Sequence, residues 1–529
     1  MNNFFRYINK VYADSKIRLF YSTPSCYGEA VKRALTEALP SKTDDFFPYS
    51  SDPHAYWTGY FTSRPTFKGL VRQTSNLLQA CKQIQATTAG RRSNTLFQFQ
   101  RSQAIAQHHD AVTGTAKQHV SNNYVLLLDQ GVRGCYEILS ESYSHLLSLN
   151  GSAALKQEYC SMLNVSQCWT TERNEPFIVT LYNPLALPST HIVRLPVVDG
   201  SYTVTDHHGA VLQSQMLPIA EAVLTLPGRN SSATHELVFL AENLPPLGLR
   251  SYHIRVLPGK RMFRSRIKTI RLPAGDNVEV SAYGLSLKFD RQTGQLIQVG
   301  NQPVHQQLLY YPGMAGNNSR FEFRASGAYI FRPNGTAVPL ESANQITTVS
   351  GPILTEIRQH INDHAMQIFR LRRGESFVEI DWILGPIPVD DGVGKEYVSR
   401  FSALEISNNG TFYTDSNGRE ILERQVNNQA TYKLNVTEPT AGNYYPVNSL
   451  AYVENKSTRM RMTVLNDRAQ GVSSLLPGSL EFMVGTSTVT VFCSVRGEIL
   501  MTRLFSLMPQ HTHNSNRFTG VCCMTTHSA

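Results

Sequence analysis

The chain has 529 residues, too many for one hydrophobic core, and its 41% apolar content is ordinary for a globular protein. The formal charge of +9 is scattered, with no run of about five or more Lys/Arg, which argues against a nucleic-acid-binding tract. No stretch of about 18 apolar residues exists to span a membrane, and the opening Met1-Asn-Asn-Phe-Phe-Arg-Tyr7 lacks the apolar centre of a signal peptide.

Residues 1–50 read as a helix, a short strand over Ile17–Tyr21, and a helix from Tyr27 to Leu39. This is βα material, too small to fold alone. From Arg64 to Thr88, Leu70, Val71, Leu77, Leu78, Cys81 and Ile84 recur at helical spacing. A second helix is expected over Asn94–His108. A third is expected over Lys117–Leu149, with Val125, Leu128, Val132, Tyr136, Leu139 and Tyr143 in its apolar stripe. Three helices joined by short connections make an antiparallel bundle.

After Asn150 the period changes. Short apolar or alternating runs such as Ile178–Tyr182, His191–Leu195, Val223–Pro227 and Met462–Leu465 are separated by Asn-Pro, Asp-Gly, Asn-Gly and Pro-Gly turns. That pattern indicates antiparallel β-sandwich architecture. The basic clusters Arg370-Leu-Arg-Arg373 and Arg261–Arg271 read as solvated strand edges. Eight Asn-x-Ser/Thr sequons occur, at Asn150, Asn164, Asn230, Asn317, Asn334, Asn409, Asn435 and Asn455, mostly in turn-like contexts.

The segment Gln107-His108-His109-Asp110-Ala111-Val112-Thr113-Gly114-Thr115 carries the most chemical information. Two imidazoles and a carboxylate lead from a helix end into a Thr-Gly-Thr turn. Helical neighbours point about 100° apart, so a single metal is not expected to take both histidines. One His and Asp110 could share a site, as nitrogen ligand and as oxygen ligand or sugar-hydroxyl acceptor. A capped polar helix terminus is the plainer account of these residues by themselves.

Further motifs stand in order around this segment. Ser22-Thr-Pro-Ser-Cys26-Tyr27, Asp44-Asp-Phe-Phe-Pro-Tyr49 and Tyr56-Trp-Thr-Gly-Tyr-Phe-Thr-Ser-Arg-Pro65 precede it. Tyr182-Asn-Pro-Leu185, Ser326-Gly-Ala-Tyr-Ile-Phe-Arg-Pro-Asn334, Phe412-Tyr-Thr-Asp-Ser-Asn-Gly-Arg-Glu420 and Gly442-Asn-Tyr-Tyr-Pro-Val-Asn448 follow. The series resembles the α-mannosidases of glycoside hydrolase family 38 from about Phe4 to Met483.

The resemblance implies an α+β multidomain fold. Residues 1–52 would be the C-terminal remnant of an α/β catalytic domain and 53–150 a helical middle domain. Residues 151–176 would form a linker with a Cys160/Cys168 loop, 177–483 the β-sandwich region, and 484–529 a divergent tail. It also implies a retaining hydrolase that removes α-linked mannose from N-glycans in the lysosome, with a zinc ion held by two His and two Asp. By the same resemblance His109 is a zinc ligand, Asp110 contacts the sugar, Trp57 stacks on it, and Tyr329 reaches the site from the β half. His108 is read as structural. Trp57 alone would be a core residue, and Tyr329 alone a packed strand residue.

No catalytic carboxylate is found. Asp44-Asp45-Phe46 looks like the acid/base motif of the family but aligns with a different one. Retaining chemistry needs two carboxylates about 5 Å apart, and both are expected upstream of Met1, as are the remaining zinc ligands. The resemblance supports Cys160–Cys168 and Cys81–Cys135 disulfides. It leaves Cys26 without its distant partner, while Cys493, Cys522 and Cys523 lie in the tail. An orphaned cysteine and a missing signal imply an incomplete chain, inactive alone. The competing readings are a short non-catalytic isoform that binds glycans or a partner, and an unrelated β-sandwich binding module.

Overall fold

A computed structural model describes residues 2–88, 92–148, 157–257, 264–273, 275–341, 343, 345–487, 500–507 and 522–526, with backbone alone beyond residue 485. The chain divides into two compact units, Met1–Phe46 and Phe47–Ala529.

The first unit holds helices α1 (Asn2–Val11) and α2 (Pro24–Ala34). The second helix starts earlier than its apolar pattern predicts. Thr23 accepts the Cys26 N–H at 3.2 Å as an N-cap, and Pro24 sits at the first helical position, where its missing N–H costs nothing. The expected strand over Ile17–Tyr21 does not form. Asn9 takes the place of a strand neighbour there: its amide accepts the Leu19 N–H at 2.7 Å and donates to the Leu19 carbonyl at 2.6 Å. None of the described residues 2–46 is buried.

The second unit opens with the helical bundle. Helices α3 (Pro65–Thr87), α4 (Ser93–Ala106) and α5 (Gln118–Leu147) pack around Leu78, Ile84, Phe99, Ile138, Leu139 and Tyr143. The Cys81–Cys135 disulfide ties α3 to α5 inside that core, and Cys160–Cys168 closes the short loop after the bundle. Cys26 is free and exposed. Cys493 lies outside the described residues, and only the backbone is described at Cys522 and Cys523.

Beyond the bundle the strands form two sandwiches. In the smaller, Phe177, Val179, Leu181, Tyr252 and Ile254 of one sheet face Val193, Leu195, Val197, Leu237 and Phe239 of another. The larger closes a nine-stranded sheet over a ten-stranded one. Leu287, Phe289, Leu308, Phe401 and Phe482 on one side meet Ile346, Ile357, Phe369, Trp382 and Val464 on the other. The strand pairs within these sheets are antiparallel, as the turn-punctuated sequence requires (for example Val304–Pro312 with Lys395–Ala403). Val223–Pro227, read as a strand, instead lies at a helical turn over Glu221–Leu224, where the Thr225 N–H bonds the Glu221 carbonyl.

Two further expectations change. The strand Ser479–Ser487 runs through the boundary drawn at Met483, and Leu500–Leu507 and Cys522–Thr526 pair within the sheets. The tail therefore supplies backbone partners to strands that would otherwise be edges. Arg370 is not at a solvated edge. Its strand Ala365–Arg372 lies between Leu354–Asn362 and Glu379–Leu384, which leaves the guanidinium 2% exposed. It donates to Glu356 at 2.6 Å and to Glu379 at 2.8 Å, and also pairs with Asp381. Arg358 and Arg194 reach the same Glu356. By contrast, the edge strand Arg266–Arg271 is largely exposed, as expected of the other basic cluster. Of the sequons, Asn164, Asn230, Asn317, Asn334, Asn409 and Asn435 are exposed and Asn455 is half-buried, whereas Asn150 lies outside the described residues.

Candidate functional site

The site forms where three segments of the second unit meet. These are the turn before α3, the loop between α4 and α5, and the loop around Tyr329.

Helix α4 stops at Ala106, two residues before the expected end, and Gln107–Thr113 run as consecutive turns and bends. This matters for the histidines, because the 100° separation of helical neighbours no longer applies. His108 Nε2 and His109 Nε2 each lie 3.4 Å from Asp110 Oδ2, with ring centroids 4.3 Å apart. Among the described residues, His108, His109 and Asp110 form the one group of three metal-competent side chains, with donor atoms within 4.8 Å of one another. His109 is the most open of the three, its side chain 83% exposed.

The loop is held from beneath by α3. Lys68 is buried, and its ammonium donates to the carbonyls of Ser63 at 2.7 Å, Val112 at 2.9 Å and Thr113 at 2.7 Å. An ammonium has three protons, and three carbonyls receive them. Arg64 precedes α3 in the left-handed region and donates to Gly114 at 2.5 Å and Ala116 at 2.7 Å. Gly114 has φ +79°, and a Cβ there would collide with the Ser63 carbonyl. The Thr-Gly-Thr turn thus needs glycine both for its dihedral and for its close approach to the turn before α3.

Asp110 is oriented by two hydroxyls. Thr115 Oγ1 donates to its Oδ1 at 3.2 Å, and the Tyr329 hydroxyl donates to the same oxygen at 3.4 Å. Oδ2 is left facing the two imidazoles. Tyr329 lies 5.3 Å, ring to ring, from Trp57, which meets Tyr49 edge-on at 5.3 Å and donates its indole N–H to Ser51 at 3.0 Å. Trp57 is half-buried and Tyr329 is 39% exposed, so both keep a surface open to a ligand.

The two aromatic segments are fastened to each other behind the rings. Ser63 Oγ donates to the Ala328 carbonyl at 2.6 Å, and the Phe331 N–H bonds the Tyr56 carbonyl at 3.2 Å. A Cβ on Gly59 would crowd the backbone of Gly327 and Ile330. The structure therefore brings together all four residues singled out in the sequence: His109, Asp110, Trp57 and Tyr329. It also adds Lys68 and Arg64, which sequence reasoning passed over. Arg64 stood inside a quoted motif; Lys68 had no signal beyond being a lysine on the apolar face of a helix.

The arrangement sets an imidazole, a carboxylate and two partly open aromatic rings on one rim, with a metal-competent group at its edge. Residues 55–146 match the alpha mannosidase middle domain, and residues 282–489 match the glycosyl hydrolases family 38 C-terminal domain. The chain is 41% identical over 494 residues to the lysosomal alpha-mannosidase of Felis catus, covering 89% of this chain and 46% of that protein. It is 35% identical over 518 residues to an alpha-mannosidase of Canavalia ensiformis, covering 92% of this chain and 51% of that one. An alpha-mannosidase structure from Enterococcus faecalis shares the fold with a TM-score of 0.59 at 12% identity, covering 95% of this chain and 61% of that chain. The chain belongs to glycosyl hydrolase family 38. It spans about half the length of the curated relatives it matches.

Proposed function

We propose that this chain supplies part of the active site of an α-mannosidase acting on mannose-containing N-glycans in the lysosome. The observation that carries the reading is the convergence of Trp57, Tyr329, Asp110 and His109 on one rim. Trp57 and Tyr329 would bind the CH-rich face of a mannose ring. Asp110, held by Thr115 and Tyr329, would accept a hydrogen bond from a sugar hydroxyl. The lysosomal setting rests on similarity to relatives named as lysosomal alpha-mannosidases. The exposed sequons fit a chain that carries N-glycans itself.

The residues present fit a zinc ion in part. His109 Nε2 is a suitable nitrogen donor, it is open to solvent, and an oxygen donor stands beside it. We assign His109 as the ligand of this chain and leave Asp110 to the sugar. Zinc, when bound, would act as Lewis acid and template for the sugar hydroxyls. The His/Asp group holds one carboxylate, whereas retaining hydrolysis uses two. Our reading is therefore that the nucleophile and the acid/base are not supplied by this rim, and that the 529-residue chain alone does not turn over substrate.

An aryl α-mannoside assay at acidic and neutral pH, with zinc supplied, tests this. No turnover is expected. Zinc-dependent turnover that follows the purified chain and disappears in Asp110→Asn would show that Asp110 belongs to the reacting pair. The single carboxylate also favours a second reading, a non-catalytic glycan-binding chain. Saturable mannoside binding without turnover, in a chain that remains stable when secreted alone, would support it.

A further inference from the structure

We propose that His54, Glu438 and Arg332 form a clamp that sets the spacing of Trp57 and Tyr329. They would act as positioning residues for the sugar-facing aromatic pair, and the proposal rests on the reading of that pair given above.

One carboxylate oxygen joins the two aromatic segments. Glu438 Oε1 lies 2.6 Å from His54 Nδ1 and 3.0 Å from Arg332 Nε. His54 stands three residues before Trp57, and Arg332 three residues after Tyr329. Arg332 also gathers its own loop, donating to the carbonyls of Glu322 at 2.9 Å and Arg324 at 2.7 Å, while its N–H reaches Ser326 Oγ at 3.2 Å. Arg324 pairs with Asp52 at 2.5 Å, and Asp52 accepts the His54 N–H at 3.1 Å. The contacts close a ring through Asp52, His54, Glu438, Arg332 and Arg324. The ring holds two carboxylates and two guanidiniums around the histidine.

Glu438 itself is seated by backbone. Its carbonyl accepts the Gly442 N–H at 2.8 Å, and the neighbouring Thr58 hydroxyl donates to Ala441 at 3.1 Å. The Tyr56 ring lies against Gly442, where a Cβ would come within 2.9 Å of it. Both rings keep an open face, with Trp57 tied at its indole N–H to Ser51 and Tyr329 at its hydroxyl to Asp110. Their separation also depends on the segments behind, and the Glu438 oxygen is where those segments meet a third. The Glu438 and Arg332 side chains are 15% and 10% exposed. Removing one charge leaves the other poorly solvated and unpaired, which loosens both loops. A stacking site is only as precise as the residues that support it.

The test uses the 529-residue protein labelled with 5-fluorotryptophan. Its three tryptophans, Trp57, Trp169 and Trp382, give three fluorine NMR lines, assigned with Trp57→Phe and Trp169→Phe. Glu438→Gln keeps the side-chain shape and removes the charge. It is expected to shift and broaden the Trp57 line while those of exposed Trp169 and buried Trp382 hold, and Glu438→Asp should restore part of the shift. If Glu438→Gln moves all three lines, the milder His54→Gln decides, with the same expectation at smaller size. A Trp57 line unmoved in both variants, or moving only together with the other two, overturns the clamp. Titration with methyl α-mannoside is a separate arm. A wild-type Trp57 line that ignores the mannoside counts against the sugar-site reading and leaves the variant comparison intact.

Discussion

Lys68 and Gly114 illustrate how much of the site depends on residues that touch no ligand. The ammonium of Lys68 satisfies three carbonyls, one on buried Ser63 and two on half-buried Val112 and Thr113. Lys68→Met keeps most of the apolar stem and removes the donors, and should cost about 3 kcal/mol of stability. Chemical denaturation of variant and parent would measure it; an unchanged midpoint would mean that water replaces the ammonium. His109 has the opposite character, an exposed side chain whose loss the fold should tolerate. In a complete enzyme, His109→Ala should lower zinc affinity by more than the roughly 10–100-fold typical of losing an outer partner of a metal ligand. His108→Ala should be milder. Zinc content after dialysis reads this directly, and stoichiometric zinc in His109→Ala would refute the assignment.

At the scale of elements, helix existence was legible from apolar spacing, and helix ends were less so. The residues of α3, α4 and α5 were foreseen to within about two positions at each end. That small error at the end of α4 decided the histidine geometry, because a turn can bring two neighbouring imidazoles onto one carboxylate where a helix cannot. The strand expected at Ile17–Tyr21 failed for a related reason. Apolar composition proposes a strand, but only a partner makes one, and the Asn9 side chain met the need of Leu19 instead. The disulfide between α3 and α5 is an element-scale brace. Cys81 and Cys135 lie 54 residues apart, so replacing both with serine should cost about 2–4 kcal/mol. Thermal melts of the oxidised parent and the double variant would show it. Peptide mapping without reductant should find Cys81–Cys135 and Cys160–Cys168 and leave Cys26 unbridged; a Cys26 link to any cysteine of the bundle or its following loop would sink this.

At the scale of the whole molecule, the buried charges around Glu356 join the smaller sandwich to the larger. Arg194 comes from the strand Ser189–Val197 of the first, and Glu356, Arg358 and Arg370 belong to the second. Burial alone would push the Glu356 carboxyl up, but Arg358, Arg370 and Arg194 more than reverse this and hold it well below the usual carboxylate range. A carboxylate depressed in the folded state adds stability above its unfolded pKa, and that stability is lost as the pH falls toward the folded value. The contribution of Glu356 should therefore be complete at neutral pH and decline below about pH 4.3, where an unfolded glutamate starts to protonate. Melting temperature against pH would trace the decline. Glu356→Gln takes from Arg358 its carboxylate partner and from Arg370 and Arg194 one of several, and should cost about 3–5 kcal/mol at pH 7, with a flatter acid limb. Equal slopes in parent and variant would show that other carboxylates dominate acid unfolding.

The sequence by itself determined the order of parts: a helical stretch, then many short strands, with the His-His-Asp segment near the end of the second bundle helix. Periodicity and turn residues act locally, so one strand of text can show them. Through long ordered motifs it also led to the expectation that Trp57, Asp110 and Tyr329 share one site. Only the tertiary structure decided how these meet. The hydrogen bond from Tyr329 to Asp110 spans 219 positions, and the Glu438 oxygen reaches His54 across 384. Such pairings leave no periodic trace, because each partner alone looks like an ordinary polar residue. The burial of Lys68 and Arg370 was hidden for the same reason. A charged side chain reads as solvated until the neighbouring strands and loops are in place to bury it and to satisfy it.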